Sequence, residues 1–130
     1  MTGDKFLLDT NIITAWLKGE AEIVEKIDKA KAIYIPVIVV GEYYYGALFS
    51  AHIQKNKTAI QNLIQRHGSL PIDEATALAY GEIKSELRKR GKPIPENDIW
   101  IAATALRHEL VLATRDKHFR EIHRLNVAYW

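Results

Sequence analysis

With 130 residues, 48% of them apolar and 26% charged, the chain has the make-up of one soluble globular domain, residues 1–130, able to bury a single ordinary core. It contains no cysteine, which excludes disulfides, thiolate metal sites and a cysteine nucleophile. The net charge of +2 is too small to announce a polyanionic partner, the longest apolar run (residues 32–41) is about half a membrane span, and no basic-then-apolar leader is visible, so a cytoplasmic protein with no membrane association is expected.

Phe6-Leu7-Leu8 is a short apolar run that stops abruptly at Asp9, the pattern of a buried strand. Beyond Asp9-Thr10-Asn11 a short helix is predicted over residues 12–17, stopped near Gly19, and Ile23, Val24 and Ile27 mark a brief amphipathic helix. Ile33-Tyr34-Ile35 forms a second small strand, and Pro36 suits the turn or first helical position that follows. Residues 37–50 read as a helix, although their first, β-branched members would equally suit a strand. An amphipathic helix over residues 52–66 gathers Ile53, Ile60, Leu63 and Ile64 on one side, and residues 69–72 form a weak strand. Asp73 is a natural N-cap for a long helix in which Ala75, Ala79, Ile83 and Leu87 recur every fourth residue until Gly91 ends it. Pro93 and Pro95 punctuate the next loop, and residues 99–106 are so apolar that their helix must be buried. Leu110-Val111-Leu112-Ala113 is another buried strand, a short helix follows Asp116, and residues 127–130 supply a closing strand. Short apolar strands alternating with helices imply an α/β sandwich around a mainly parallel central sheet flanked by helices. Sites in such sheets form at the carboxyl ends of strands, near a switch in strand order, which draws notice to Asp9 and Asp116.

Asp9, Asp98 and Asp116 each have an ordinary structural reading. Asp9 and Asp116 stand where a helix cap is expected, and Asp98 lies in a first helical turn, where the helix dipole favours a carboxylate whatever its function. Glu42 resists such a reading. In a helix its neighbours at three and four residues are Ile38, Val39, Tyr45 and Gly46, an apolar stripe expected to face the core, and no Lys or Arg lies between Lys31 and Lys55. A buried carboxylate needs a cation, a proton or dense hydrogen bonding, so the partner must come from elsewhere in the fold or be a metal. Converging acids repel unless a divalent ion compensates them, and oxygen ligands favour Mg²⁺ or Mn²⁺ over zinc. The five histidines contain no HExxH or other close ligand pair and read as surface or core residues. Carboxylate-held Mg²⁺ suits phosphate-ester chemistry.

Four stretches carry a family resemblance: Leu7-Leu8-Asp9-Thr10-Asn11-Ile12, the run Val39-Val40-Gly41-Glu42 with the three tyrosines and Gly46 after it, Asn97-Asp98-Ile99-Trp100-Ile101-Ala102-Ala103, and Ala113-Thr114-Arg115-Asp116-Lys117-His118-Phe119. In this order and spacing, across nearly the whole chain, the set resembles the PIN-domain nucleases, and among them the VapC-type toxins of type II toxin–antitoxin pairs. The resemblance implies a PIN-like three-layer sandwich and a Mg²⁺- or Mn²⁺-dependent endoribonuclease that hydrolyses RNA to a 5′-phosphate and a 3′-hydroxyl. It makes Asp9, Glu42, Asp98 and Asp116 the metal-binding acidic quartet, gives Thr114 a positioning hydroxyl, and has Thr10 or Asn11 order the first motif. It also implies a homodimer and a cognate small antitoxin that inserts a peptide, often bearing Arg, into the acidic groove. The chain departs from the family at Gly41, where a small polar or other residue is frequent, and in the tyrosine run, but all four acids are present.

The basic residues fall in two runs, Lys84 to Lys92 and Arg115 to Arg124, whose ordinary reading is a solvated face. Beside an acidic RNA site, Arg88, Arg90, Lys92, Arg115 and Lys117 become candidates for binding flanking phosphates. Three other functions can be weighed against the sequence. A phospho-acceptor at Asp9 would call for a second Asp two residues on, where Asn11 stands, or for the acidic pair and late Lys of a receiver, which are not found. A non-catalytic RNA- or protein-binding module would use the amphipathic surface of residues 37–66, and a free-standing RNA-processing nuclease would keep the acids without an antitoxin.

Overall fold

The computed structural model describes residues 5–130; the first four residues of the expected domain lie outside the described residues. The order of elements is β1 (Lys5–Leu8), α1 (Thr10–Leu17), α2 (Ala21–Lys29), β2 (Ala32–Pro36), α3 (Val37–Leu48), α4 (Ile53–His67), β3 (Ser69–Leu70), α5 (Glu74–Lys89), α6 (Glu96–Arg107), β4 (Val111–Thr114), a 3₁₀ turn (Lys117–Glu121) and β5 (Val127–Tyr129). The strands form one five-stranded sheet in the order β3-β2-β1-β4-β5, with every pairing parallel. Leu7 and Leu8 are neighbours and therefore face opposite sides of the sheet, yet both are fully buried. Both faces are covered, which makes the three-layer sandwich expected of an apolar parallel sheet.

The sequence grows outward from β1 to β2 and β3, then returns through α5 and α6 to β4 on the other side of β1. The order thus reverses between β1 and β4, leaving a crevice at their carboxyl ends. Register fixes what lines it. Leu8 pairs with Ala113, and the Asp9 N–H continues the ladder by donating to the Ala113 carbonyl at 3.0 Å, so Asp9 and Thr114 emerge side by side.

A single apolar cluster runs through both layers. On α5 the buried Ile83 and Leu87 come from the predicted stripe, while α6 buries Ile99, Ile101, Ala102, Ala103 and Ala105 and is enclosed as its composition requires. Phe119, fully buried, pins the 3₁₀ turn to this core. Gly91 ends α5 at φ +65°, a conformation that favours glycine. Asp73 caps α5 as expected: its Oδ1 accepts from both the backbone N–H and the hydroxyl of Thr76 at 2.8 Å, and these bonds hold its carboxyl down at about 2.

Several boundaries differ from expectation. α1 begins at Thr10, because Asp9 is its cap and needs no spacer. β3 shrinks to two residues, since Pro71 has no N–H to offer the ladder. The segment after Asp116 is a 3₁₀ turn, and Pro36 is the last residue of β2 as well as the N-cap of α3. Residues 37–48 are helical despite their β-branched start. The supposed single stripe around Glu42 is split: Val39 and Val40 are buried, whereas Tyr45 is 71% exposed and Gly46 is also exposed, so Glu42 stands half-buried at the rim of the crevice. α3 is apolar on nearly every side, and sequence spacing alone could not select the face that packs inward.

Candidate active site

Asp9 is 4% exposed and every bond it makes is local to the crevice. Its Oδ1 accepts from the Thr10 N–H at 2.8 Å, the cap of α1. Its Oδ2 accepts from the hydroxyl of Thr114 at 2.7 Å and from the Asn11 amide at 3.4 Å. Thr114 is fully buried and its oxygen in turn accepts the Asp116 N–H at 2.9 Å. Asn11 ties the same two loops from the other direction, its Oδ1 accepting the Arg115 N–H at 3.2 Å. A threonine and an asparagine therefore lock the end of β1 to the end of β4.

Glu42 comes in from the second turn of α3, where its Oε2 accepts from the Thr10 hydroxyl at 3.2 Å. The Tyr43 hydroxyl buttresses this corner, lying in hydrogen-bond contact with the Thr14 hydroxyl and donating to the Thr10 carbonyl at 3.3 Å. Asp98 projects from the first turn of α6, and Asp116 caps the 3₁₀ turn by accepting the His118 N–H at 2.9 Å. His118 Nδ1 lies 3.0 Å from Asp116 Oδ1 and 3.7 Å from Asp98 Oδ2. One ligand atom from each of Asp98, Asp116 and His118 can be chosen so that all lie within 4.8 Å of one another.

Electrostatics report the same convergence. Asp98 is pushed up to about 6, first by burial, then by the charges of Asp9 and Asp116, with Glu42 adding to them and His118 partly offsetting them. Burial pushes Asp9 up as well; the Thr114 hydroxyl and Thr10 N–H pull it back, and Asp116 pushes it further. Glu42 is raised by burial and by Asp9, against the Thr10 hydrogen bond. Among the described residues no Lys or Arg pairs with any of the four acids. Crowded, partly desolvated carboxylates with no organic cation fit a hard divalent ion with oxygen ligands.

The sequence-derived basic candidates are placed unevenly. Arg115 is already engaged, by Glu20 at 2.6 Å and by the Trp130 carbonyl at 3.1 Å. Arg90 pairs with Glu121 at 3.5 Å and reaches the Glu121 carbonyl, which brings the end of α5 against the 3₁₀ turn and sets the two basic runs beside each other. Arg88, Lys92 and Lys117 are exposed and make no ion pair among the described residues. Sequence reasoning passed over two residues. His118 has an Asp two positions earlier at a helix cap, a spacing that could have flagged it; Tyr43 carried no comparable signal.

On the other side of Glu42 a groove of about 810 Å³ opens between α1, α3 and α4, lined by Thr10, Thr14, Leu17, Tyr43, Tyr45 and Lys55 among others. Of its lining, exposed Tyr45 stacks on exposed Phe49. No helix among the described residues is long and apolar enough to cross a membrane.

Comparison with known proteins agrees with this architecture. Residues 6–125 match the PIN domain family model. The chain is 35% identical over 129 residues to "Ribonuclease VapC2" of Haemophilus influenzae, covering 97% of this chain and 98% of that one. It is 33% identical over 120 residues to "Toxin FitB" of Neisseria gonorrhoeae, covering 85% and 86%. The solved structure of VapBC-1 from nontypeable Haemophilus influenzae superposes with a TM-score of 0.89 at 33% identity, over 97% of this chain and 98% of that one. The chain belongs to the PIN-domain family, within its VapC branch.

Proposed function

We propose that the chain is a Mg²⁺- or Mn²⁺-dependent endoribonuclease, the toxin of a toxin–antitoxin pair, which hydrolyses RNA phosphodiester bonds at Asp9, Glu42, Asp98 and Asp116. The observation that carries this reading is the convergence of four carboxylates from four separate elements on one crevice, close enough that Asp98 feels the other three. The names of the relatives, a ribonuclease and a toxin, agree with it.

Asp9, Asp98 and Asp116 would hold the ion, with Glu42 completing the rim. When bound, the ion would supply an activated water and neutralise charge on the scissile phosphate. The remaining chemistry belongs to the chain. Thr114 positions Asp9 by donating to Oδ2 and positions Asp116 by accepting its backbone N–H. Thr10 orients Glu42 toward the crevice, and Tyr43 steadies the turn of α1 that carries Thr10. Asn11 holds the two strand ends in register through Asp9 and the Arg115 backbone. Exposed Arg88, Lys92 and Lys117 are left to meet phosphates flanking the cut, offsetting the repulsion that an acidic centre exerts on RNA. Arg90 and Arg115 contribute there only by leaving their ion pairs. An antitoxin segment or a second copy of the chain has a suitable surface in the apolar groove that begins beside Glu42. An RNA-cleaving toxin would work in the cytoplasm.

The test is cleavage of several RNA classes by the purified full chain, with and without Mg²⁺ or Mn²⁺. Metal-dependent loss of full-length RNA that disappears in both Asp9→Asn and Asp98→Asn is expected. No metal-dependent loss for any RNA overturns the catalytic reading, and activity surviving both substitutions assigns the cleavage to a contaminant. Expression of the natural operon tests the toxin reading: a small DNA-binding protein should co-purify, and its absence leaves a free-standing nuclease.

A further inference from the structure

The acids alone make an all-oxygen site, but an imidazole stands beside two of them. His118 Nδ1 approaches Asp116 at 3.0 Å and Asp98 at 3.7 Å, and this trio is the one group of metal-competent ligands found among the described residues within 4.8 Å of one another. Its position is fixed by the fold. The His118 N–H is spent on the Asp116 cap, the next residue, Phe119, is fully buried, and Arg90 clasps the far end of the turn at Glu121. The ring thus hangs from an anchored turn, 56% exposed, with Nδ1 in hydrogen-bond contact with Asp116 Oδ2 at 3.2 Å, a contact whose proton an arriving ion would displace.

We propose that His118 is a nitrogen ligand of the ion held between Asp98 and Asp116, giving a mixed nitrogen–oxygen site that prefers Mn²⁺ over Mg²⁺. This rests on the metal-dependent reading above and adds to it a ligand and a selectivity. The reasoning is chemical. Mg²⁺ takes hard oxygen donors and surrenders its waters reluctantly, whereas imidazole suits transition ions and raises affinity along the series that begins at Mn²⁺. An imidazole that only donated Nδ1–H to Asp116 would leave the choice of ion to the carboxylates.

Pulsed electron paramagnetic resonance on the full chain, labelled with ¹⁵N-histidine and loaded with substoichiometric Mn²⁺, reads the bond directly. A ¹⁵N coupling of the size of a directly ligated imidazole is expected, and it should vanish in His118→Gln. Calorimetric titration with Mn²⁺ and Mg²⁺ should show the ratio of their affinities falling by about fivefold or more in that variant. Mn²⁺ bound to the unaltered chain without nitrogen coupling overturns the assignment and leaves the carboxylate site standing, even if His118→Gln fails to fold. Absence of any saturable binding of either ion overturns the metal reading itself and this inference with it.

Discussion

Replacing Asp98 by Asn should stabilise the metal-free protein near neutral pH, although it removes a candidate ligand. Asp98 sits at about 6 instead of its ordinary 3.8, so the folded chain holds a proton that the unfolded chain releases. A carboxyl raised in this way favours the fold fully below 3.8, and that advantage is lost as pH rises through about 6. The move corresponds to ~3 kcal/mol in full, using about 1.36 kcal/mol per pH unit. Water and counter-ions reaching the open rim, where Glu42 and Asp116 are half-exposed, screen part of this and leave about 1–2 kcal/mol. Asn keeps the shape and removes the charge, so Asp98→Asn should gain about 1–2 kcal/mol near pH 7.5 in EDTA, and roughly half of that near pH 4.5. Excess Mg²⁺ should reverse the order by stabilising only the parent chain. Urea denaturation under these three conditions measures all of it. A variant less stable than the parent near pH 7.5 in EDTA, or a gain independent of pH, would refute the claim that mutual repulsion is stored in this site.

Metal affinity should fall as pH drops below about 6, approaching tenfold per pH unit as one proton competes with the ion at Asp98, and calorimetric titration across that range checks it. Thr114→Val keeps the shape of a fully buried side chain but deletes the hydroxyl that donates to Asp9 and accepts from Asp116; a loss of about 1–3 kcal/mol in urea denaturation is expected. The same change removes the bond that pulls Asp9 down, so the acidic limb of the pH–cleavage profile should move to higher pH, while Thr114→Ser should largely restore it. Phe119→Ala empties a fully buried site beneath the 3₁₀ turn and should lower stability by about 3–5 kcal/mol, with weakened ion binding in whatever fraction remains folded.

Much of the fold was legible because apolar runs and chain punctuation agree with each other. Phe6-Leu7-Leu8 and the run ending at Ala113 are short and wholly apolar, which only strands covered on both faces require, and Asp73, Gly91 and Pro95 mark helix ends by the bonds or dihedral angles they offer. The candidate site is legible only as an ordered set, since Asp9, Glu42, Asp98 and Asp116 are far apart in sequence and only the topology brings them together. What escaped was orientation. The stripe through Val39 and Tyr45 gave no means to know that the first is buried and the second exposed, because a helix apolar on nearly all sides does not declare its inner face. Arg115 and Arg90 read as free cations because their partners, Glu20 and Glu121, are remote in sequence. His118 gives no metal signal in the sequence because no histidine stands at HExxH or other ligand-pair spacing from it, whereas the groups beside it in the fold are carboxylates.

Helix capping and ion binding, which compete as explanations of Asp9 and Asp116 in the sequence, are compatible in the structure and support one another. A carboxylate oxygen has two lone-pair sites, so Asp9 Oδ1 can accept the Thr10 N–H and still offer an electron pair to the crevice. The capping bonds cost little in ligand capacity and fix the rotamer, which is the preorganisation a tight ion site requires. They also divide the acids by readiness. Asp9, though more deeply buried, receives donors from Thr10, Thr114 and Asn11 that counter its desolvation. Among the described residues Asp98 receives no such donors, so burial and the neighbouring charges push it furthest toward its protonated form. Asp9 is held ready by the chain, whereas Asp98 would be completed by the proposed ion. On the metal-dependent reading, the proton on Asp98 is the first that a divalent cation would have to displace as pH falls, so this residue, more than the most buried acid, would govern the pH at which the site loads.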